Sequence, residues 1–208
     1  MGLSSSALAD EGAPPASSGF QLAFRTGYSL PMGKASGETN GELSKLFGGQ
    51  VPVIADIGGK LSPNVVLAGY LGIAVGSVGD GLKDTCAVVS CTVVGARLGA
   101  EIFYQFSPAA QTNPWIGYGI GLESTSLSAS SGGQTVSVTA SGPEFAHLMG
   151  GVDFRLSQSI GLGPFVDFAV GQYSTVEVKS GTQATSSEIS KKAIHEWLSF
   201  GLKLAVWP

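Results

Sequence analysis

The feature that most narrows what this chain can fold into is a period of two. In its last stretch, Ile194 to Trp207, one parity holds Leu198, Phe200, Leu202, Leu204 and Val206. The other holds Trp197, Ser199, Gly201, Lys203 and Ala205. Successive side chains on an extended strand point to opposite sides, so one face is wholly apolar and the other small, polar and charged. The same grammar recurs in seven earlier segments, near residues 21–30, 50–60, 65–75, 94–105, 115–123, 145–156 and 160–173. In the sixth segment Ala146, Leu148, Val152, Phe154 and Leu156 read as the apolar face, and Phe145, His147, Met149, Asp153 and Arg155 as the other. Pro164 in the seventh cannot donate a ladder hydrogen bond, which predicts a bulge or local break.

The connections alternate as well. Long polar runs at 31–49, 77–92, 125–143 and 174–192 are interleaved with short ones at 61–64, 107–114 and 157–159. In an up-and-down meander, alternate connections lie at opposite ends. The reading is an all-β, eight-stranded antiparallel up-and-down barrel with four long loops on one rim and three short turns on the other. Residues 20–207 form this domain. Residues 1–19 carry no strand pattern and read as a flexible lead, in which Ala7-Leu8-Ala9 before Asp10 looks like the small-residue end of a signal peptide.

Composition decides which solvent the apolar face meets. Charged residues make up 12% of the chain, about half the roughly 25% usual in a soluble domain, and mean hydropathy is +0.27. No run approaches the roughly 18 apolar residues of a spanning helix. A chain of this kind can still cross a bilayer as a closed barrel, in which every backbone group is satisfied between strands. The small-residue face carries Arg25, Lys60, Arg97, Arg155 and Lys203, and also Asp56, Glu101, Glu123, Asp153 and Asp167. Balanced charges among glycines suit a narrow interior, because unpaired buried charges are costly. The apolar face is therefore read as facing lipid, with Tyr28, Tyr104 and Phe154 as interface aromatics and the ten charges as an interior plug. The net charge of −4 and the lack of a basic patch argue against nucleic acid.

This architecture, with a closing strand that ends in an aromatic, resembles the small eight-stranded bacterial outer-membrane barrels that include the OmpA transmembrane domain, OmpX and OmpW. The resemblance covers about Phe20 to Trp207 and implies residence in the bacterial outer membrane as a monomer. It also implies that the barrel-assembly machinery reads the last strand, here through Gly201, Leu204, Val206 and Trp207. Pro208 after Trp207 departs from the family's usual ending.

Chemistry is sparse. Cys86 and Cys91 fall in the second long loop, and an exported protein meets an oxidising compartment, so a disulfide between them is expected. No metal, cofactor or catalytic set stands out. His195 with Ser199 and Glu196 is the nearest approach to the His, Ser and acid used by lipid-modifying barrels, and its spacing matches no motif. Three function classes remain. The first is a non-enzymatic structural or surface-interaction barrel acting through its long loops. The second is OmpW-like passage of small hydrophobic molecules through a lateral opening near Trp115, Phe145 and Tyr173. The third is a lipid-modifying enzyme. The first is the primary reading.

Overall fold

The computed structural model describes residues 19–39 and 41–207, so Ala7-Leu8-Ala9 and nearly all of the N-terminal lead lie outside the described residues. Ten strands follow in chain order: β1 (Phe20–Gly33), β2 (Phe47–Lys60), β3 (Val65–Val78), β4 (Ser90–Gln105), β5 (Thr112–Ser131), β6 (Gln134–Arg155), β7 (Ile160–Gly171), β8 (Thr175–Ser180), β9 (Gln183–Glu188) and β10 (His195–Val206). Eight of them, β1 to β7 and β10, pair side by side into a closed antiparallel barrel. The first and last strands join along Leu22↔Val206 to Gly33↔His195, and β10 meets β7 on its other side. Closure leaves no sheet edge within the wall.

The period-two pattern sets the two surfaces. On β1, Ala23, Arg25 and Ser29 are buried while Phe24, Tyr28 and Leu30 are exposed. Around the outside, Ile57, Leu71, Ile73, Leu98, Ile120 and Leu202 are each more than half exposed. A continuous apolar belt of this extent fits hydrocarbon rather than water. No helix among the described residues is long and apolar enough to cross a membrane, and the apolar belt lies entirely on the strands of the barrel wall. Tyr104 packs edge-on against Phe106 near the short-turn rim, and Tyr28 tilts against Phe200.

Two local expectations need correction. Two of the four long loops are strand. Residues 125–143 continue β5 and β6 into a hairpin that turns at Gly132 and Gly133, whose φ values of 57° and 79° suit a two-residue hairpin turn. Most of 174–192 is the β8–β9 hairpin, and β8 takes the place of β7 beside the upper part of β6, from Ser141↔Thr175 to Val136↔Ser180. A rigid sheet thus rises above one side of the barrel. The second correction is a bulge in β6 between Glu144 and Ala146, which shifts register against both β5 and β7. Below it His147 and Met149 point inward as expected; above it the parity flips, so Glu144 is buried and Phe145 is 45% exposed. At Pro164 the structure takes the second of the two expected forms, a local break rather than a bulge. Its strand keeps register with β10 through Leu202↔Pro164, while the β6–β7 ladder lapses between Gly151↔Phe165 and Phe154↔Leu162.

The remaining two connections carry short helices. Helix α1 (Leu43–Leu46) sits over the barrel mouth, and α2 (Lys83–Cys86) follows a 3-10 turn in the second loop. Cys86 and Cys91 are joined by a disulfide with Cα atoms 5.5 Å apart. Beside it, Lys83 Nζ lies 2.6 Å from Asp80 Oδ1. That hydrogen bond holds the Asp80 carboxyl below the usual carboxylate range and raises the Lys83 ammonium. The pair is exposed and contributes little to stability.

Three outcomes follow from this fold. The folded barrel should resist SDS at room temperature and change gel mobility only on heating. Leu202 pairs with Thr26 and Pro164 near the middle of the wall, whereas Leu204 lies nearer the short-turn rim. Leu202→Arg should therefore cost about 2–4 kcal/mol and Leu204→Arg less, as the penalty falls with distance from the midplane; equilibrium unfolding in lipid measures both. Thiol labelling of the non-reduced protein should leave Cys86 and Cys91 unmodified, and reduction should cost about 2 kcal/mol on the chain-entropy account of so short a loop.

Candidate functional site: a layered barrel interior

The strand alternation that gives an apolar exterior aims the other half of each strand into a narrow lumen. Inward glycines leave room there for long side chains. Gly27 and Gly201 face each other across the closing seam. A Cβ on Gly201 would meet the Thr26 carbonyl and lie 2.6 Å from Gly27 Cα. Above them Ser29 and Ser199 share a hydrogen bond of 2.7 Å.

At mid-height Arg25 is fully buried and organises three carboxylates. Its Nε and Nη2 donate to Asp56 Oδ2 and Oδ1 at 2.9 and 2.7 Å, and Nη2 also donates to Glu101 Oε2 at 2.9 Å. Nη1 lies 3.6 Å from Asp167 Oδ2. The bidentate fork to Asp56 uses the planar guanidinium geometry that lysine lacks. Asp167 in turn contacts His147 Nε2, and His147 Nδ1 lies 3.2 Å from Glu144 Oε1.

Nearer the long-loop rim Arg97 bridges two acids, Glu123 and Glu144, each at 3.5 Å. Tyr70 donates to Glu144 Oε1 at 2.7 Å. Glu123 also contacts His195 Nε2, whose ring stacks on Tyr173 with centroids 4.0 Å apart. Toward the short turns Lys203 Nζ lies 3.1 Å from Asp153 Oδ2 and 3.9 Å from the centre of the Trp115 ring. The Trp115 indole donates to the other Asp153 oxygen at 3.1 Å. An ammonium over an aromatic face is held by the ring quadrupole as well as by its carboxylate.

Apolar layers enclose these charges. Phe103, Trp115, Met149 and Phe165 cluster below. At the loop rim Leu43 of α1, Phe47, Val93, Tyr173 and Trp197 form a second cluster that caps the lumen. The short-turn mouth is closed by Gln21, which accepts hydrogen bonds from Gln105 and from the Trp207 indole, each at 3.0 Å. A cavity of about 20 Å³ lies between Gln50, Arg97, Trp197 and Ser199, room for one or two waters.

The structure thus distributes the ten expected interior charges unevenly. Arg25, Asp56, Arg97, Glu101, Glu123, Asp153, Asp167 and Lys203 join ion pairs in the lumen. Lys60 and Arg155 sit at the short-turn rim, where Arg155 donates to the Pro108 carbonyl at 2.6 Å and stacks over Trp207. Sequence reading missed Glu144 as an interior acid, and with it the contacts of both histidines. Among the described residues the lumen proper therefore holds six carboxylates against Arg25, Arg97 and Lys203, with His147 and His195 each in contact with a carboxylate. Of the closing-strand residues, Leu204 and Val206 lie on the outer face, and Gly201 and Trp207 on the inner one. His195 and Ser199 take separate partners, Glu123 and Ser29. Trp115 and Tyr173 point inward while Phe145 faces out, so these three do not converge on a lateral opening. Among the described residues no group of three or more His, Cys, Asp or Glu side chains is arranged to hold a metal.

Arg25→Met would leave three carboxylates facing one another without their shared cation. Losing one partner of a buried pair costs about 3–5 kcal/mol, so this variant should unfold at markedly lower denaturant than the wild type. Adding Asp56→Asn should recover part of the loss, and a double-mutant cycle on the four proteins measures the coupling.

No protein-family model matches the sequence, and no curated protein matches it. Solved structures do. Neisserial surface protein A superposes with a TM-score of 0.53 at 13% identity, over 92% of this chain and 99% of that one. The outer membrane protein AlkL, solved in lipid bilayers, gives 0.51 at 13%, over 100% and 98%. A major outer membrane protein from Thermus thermophilus gives 0.55 at 14%, over 91% and 98%. With its closed ring of eight strands, apolar belt and filled lumen, the chain has the fold of a small bacterial outer-membrane β-barrel.

Proposed function

We propose that the chain is a non-enzymatic outer-membrane protein that spans the bilayer as a filled barrel and acts through the rigid sheet raised above its long-loop rim. The observation that carries this reading is the contrast between lumen and rim. The lumen is occupied by paired charges and capped by apolar clusters, which suits anchorage rather than bulk passage. The β5–β6 and β8–β9 hairpins continue the wall well past the apolar belt as a paired sheet. Rigid elements hold a recognition surface more firmly than loops do. Lipid of the outer membrane contacts the belt, and the last strand is the part offered to the assembly machinery. The folded barrel is taken to be a monomer.

Three measurements test this. In planar bilayers the native protein should pass little or no current, and replacing Arg25, Arg97, Glu101 and Glu123 together by alanine should raise conductance. Large steady native pores would overturn the filled-lumen reading. Liposome uptake of a small apolar fluorophore that depends on the protein would favour passage of hydrophobic molecules instead. Replacing residues 126–139 by an Asn-Gly turn should leave SDS resistance and heat modifiability intact. If that excision abolishes folding, the hairpin serves the barrel rather than a partner.

A further inference from the structure

Asp153 and Lys203 meet across a gap in the wall. The ladder joining β6 to β7 lapses between Gly151↔Phe165 and Phe154↔Leu162, and Asp153 lies in that interval. On the other side of β7, Lys203 pairs with Gly163. A Cβ on Gly163 would run into the Val152 carbonyl and lie 3.2 Å from Asp153 Cα. Glycine there leaves Lys203 a path over β7, and its Nζ reaches to 3.1 Å from Asp153 Oδ2. Each of the two side chains is 1% exposed. Among the described residues that oxygen is the one hydrogen-bond acceptor the ammonium has, although it carries three N–H donors. Its other close neighbours are rings, with Nζ 3.9 Å from the centre of Trp115 and 5.3 Å from that of Phe103. The second Asp153 oxygen accepts from the Trp115 indole at 3.1 Å.

We propose that this ion pair is a reactant: in the folded protein it condenses, and Lys203 Nζ and Asp153 Cγ become joined by an amide bond with loss of one water. Burial drives the reaction. Charges withdrawn from water into an apolar layer are repaid only when their remaining hydrogen-bonding groups are satisfied, and here the spare ammonium donors meet only ring faces. Condensation removes both charges and the spare donors together. Lysine is the residue for it, since a guanidinium is delocalised and stays charged, and Lys203 is the only buried lysine among the described residues. The step begins when a proton passes from the ammonium to Oδ2 along the existing hydrogen bond, leaving an amine and a carboxylic acid. The amine lone pair then attacks Cγ, and the carbonyl π pair moves onto Oδ1, where the Trp115 N–H holds the developing charge. Nitrogen gives a second proton to the Oδ2 hydroxyl, the Cγ–Oδ2 bond breaks, and Oδ2 leaves as water. One C–N bond forms and one C–O bond breaks, with no oxidant, reductant or co-reactant. Groups held at about 3–3.5 Å react as though at very high concentration. The mouth below is closed by Gln21 with Gln105 and Trp207, which limits the water supply for the reverse, hydrolytic step. The bond ties the closing strand β10 to β6 across β7, at the height where the β6–β7 ladder is missing.

Intact-mass spectrometry tests this, comparing wild-type protein folded in lipid and then denatured with protein that was never folded. The folded sample should be lighter by one water, a difference that a salt bridge does not leave behind. Trypsin should fail to cut after Lys203 and should release a branched peptide joining the segment that ends at Arg155 to the one that contains Lys203. Lys203→Arg keeps the cation and Asp153→Ala removes the carbonyl carbon, so both should show the full mass after folding. Trp115→Phe keeps a ring beside the ion pair and removes the N–H donor, so the link should form about 100-fold more slowly. Equal masses for folded and unfolded wild type overturn the inference, whatever the variants do. A one-water deficit that persists in Lys203→Arg, or that maps to a single unbranched peptide, places the lost water elsewhere and overturns it as well. If the variants do not fold, the wild-type digest decides, since the branched peptide is either present or absent.

Discussion

One buried guanidinium holds the interior together. Arg25 stands at mid-height, reaches Asp56 on the neighbouring strand, and crosses the lumen to Glu101 and Asp167. Taking so many charges out of water is tolerable only when each carboxylate is held by an opposite charge or a hydrogen bond. The other interior contacts extend this arrangement outward: Asp167 to His147, His147 to Glu144, Glu144 to Arg97 and Tyr70, Arg97 to Glu123, and Glu123 to His195. Strands that share no ladder are therefore tied through the lumen as well as through their neighbours.

That tie explains the uneven use of residue size along the inner face. Where long side chains cross the lumen the neighbouring strand carries glycine, as β5 does at Gly117 beside Phe103 and Met149, at Gly119 beside Glu101 and His147, and at Gly121 beside Tyr70. Bulky aromatics fill the rest of the width and pack against the charged chains, as Phe103 and Trp115 do around Lys203 and Trp197 does beside Arg97. An eight-stranded barrel has an interior just wide enough for its own side chains, so each height of the lumen is a packing problem solved by its own mixture. The outside has no such problem, and nearly any aliphatic residue serves there.

Much of this was readable from residue order because the membrane imposes so strong a contrast between the two faces. Leu198, Phe200 and Leu202 against Ser199, Gly201 and Lys203 announce a strand and its orientation. The reading failed where the contrast fades or slips. In 125–143 both faces leave hydrocarbon, so the alternation of Ser126, Ser128 and Ser130 with Leu127 and Ala129 resembles a polar loop, although Gly132-Gly133 is a hairpin signal. At the β6 bulge a single extra residue flips the parity, hiding Glu144 and turning Phe145 outward. Pro143 just before it was the available clue, since proline within a sheet favours edges and irregular positions. Which acid meets which base was not legible, because partners come from strands far apart in sequence and depend on barrel stagger.

The seam between β1 and β10 carries a consequence for how the protein comes to exist. The first strand made is also the last to be satisfied, because its second partner is the final strand of the chain. Until β10 has been delivered, the outer edge of β1 offers a row of open amides and carbonyls that any extended peptide can occupy. Pairing two ends so distant along the chain is intrinsically slow, since the entropy of closing the loop is spent before any contact rewards it. The waiting time, rather than the final stability, is then the hazard for such a molecule. Anything that shortens the time for which the leading edge stands open reduces that hazard without changing a single contact of the finished cylinder.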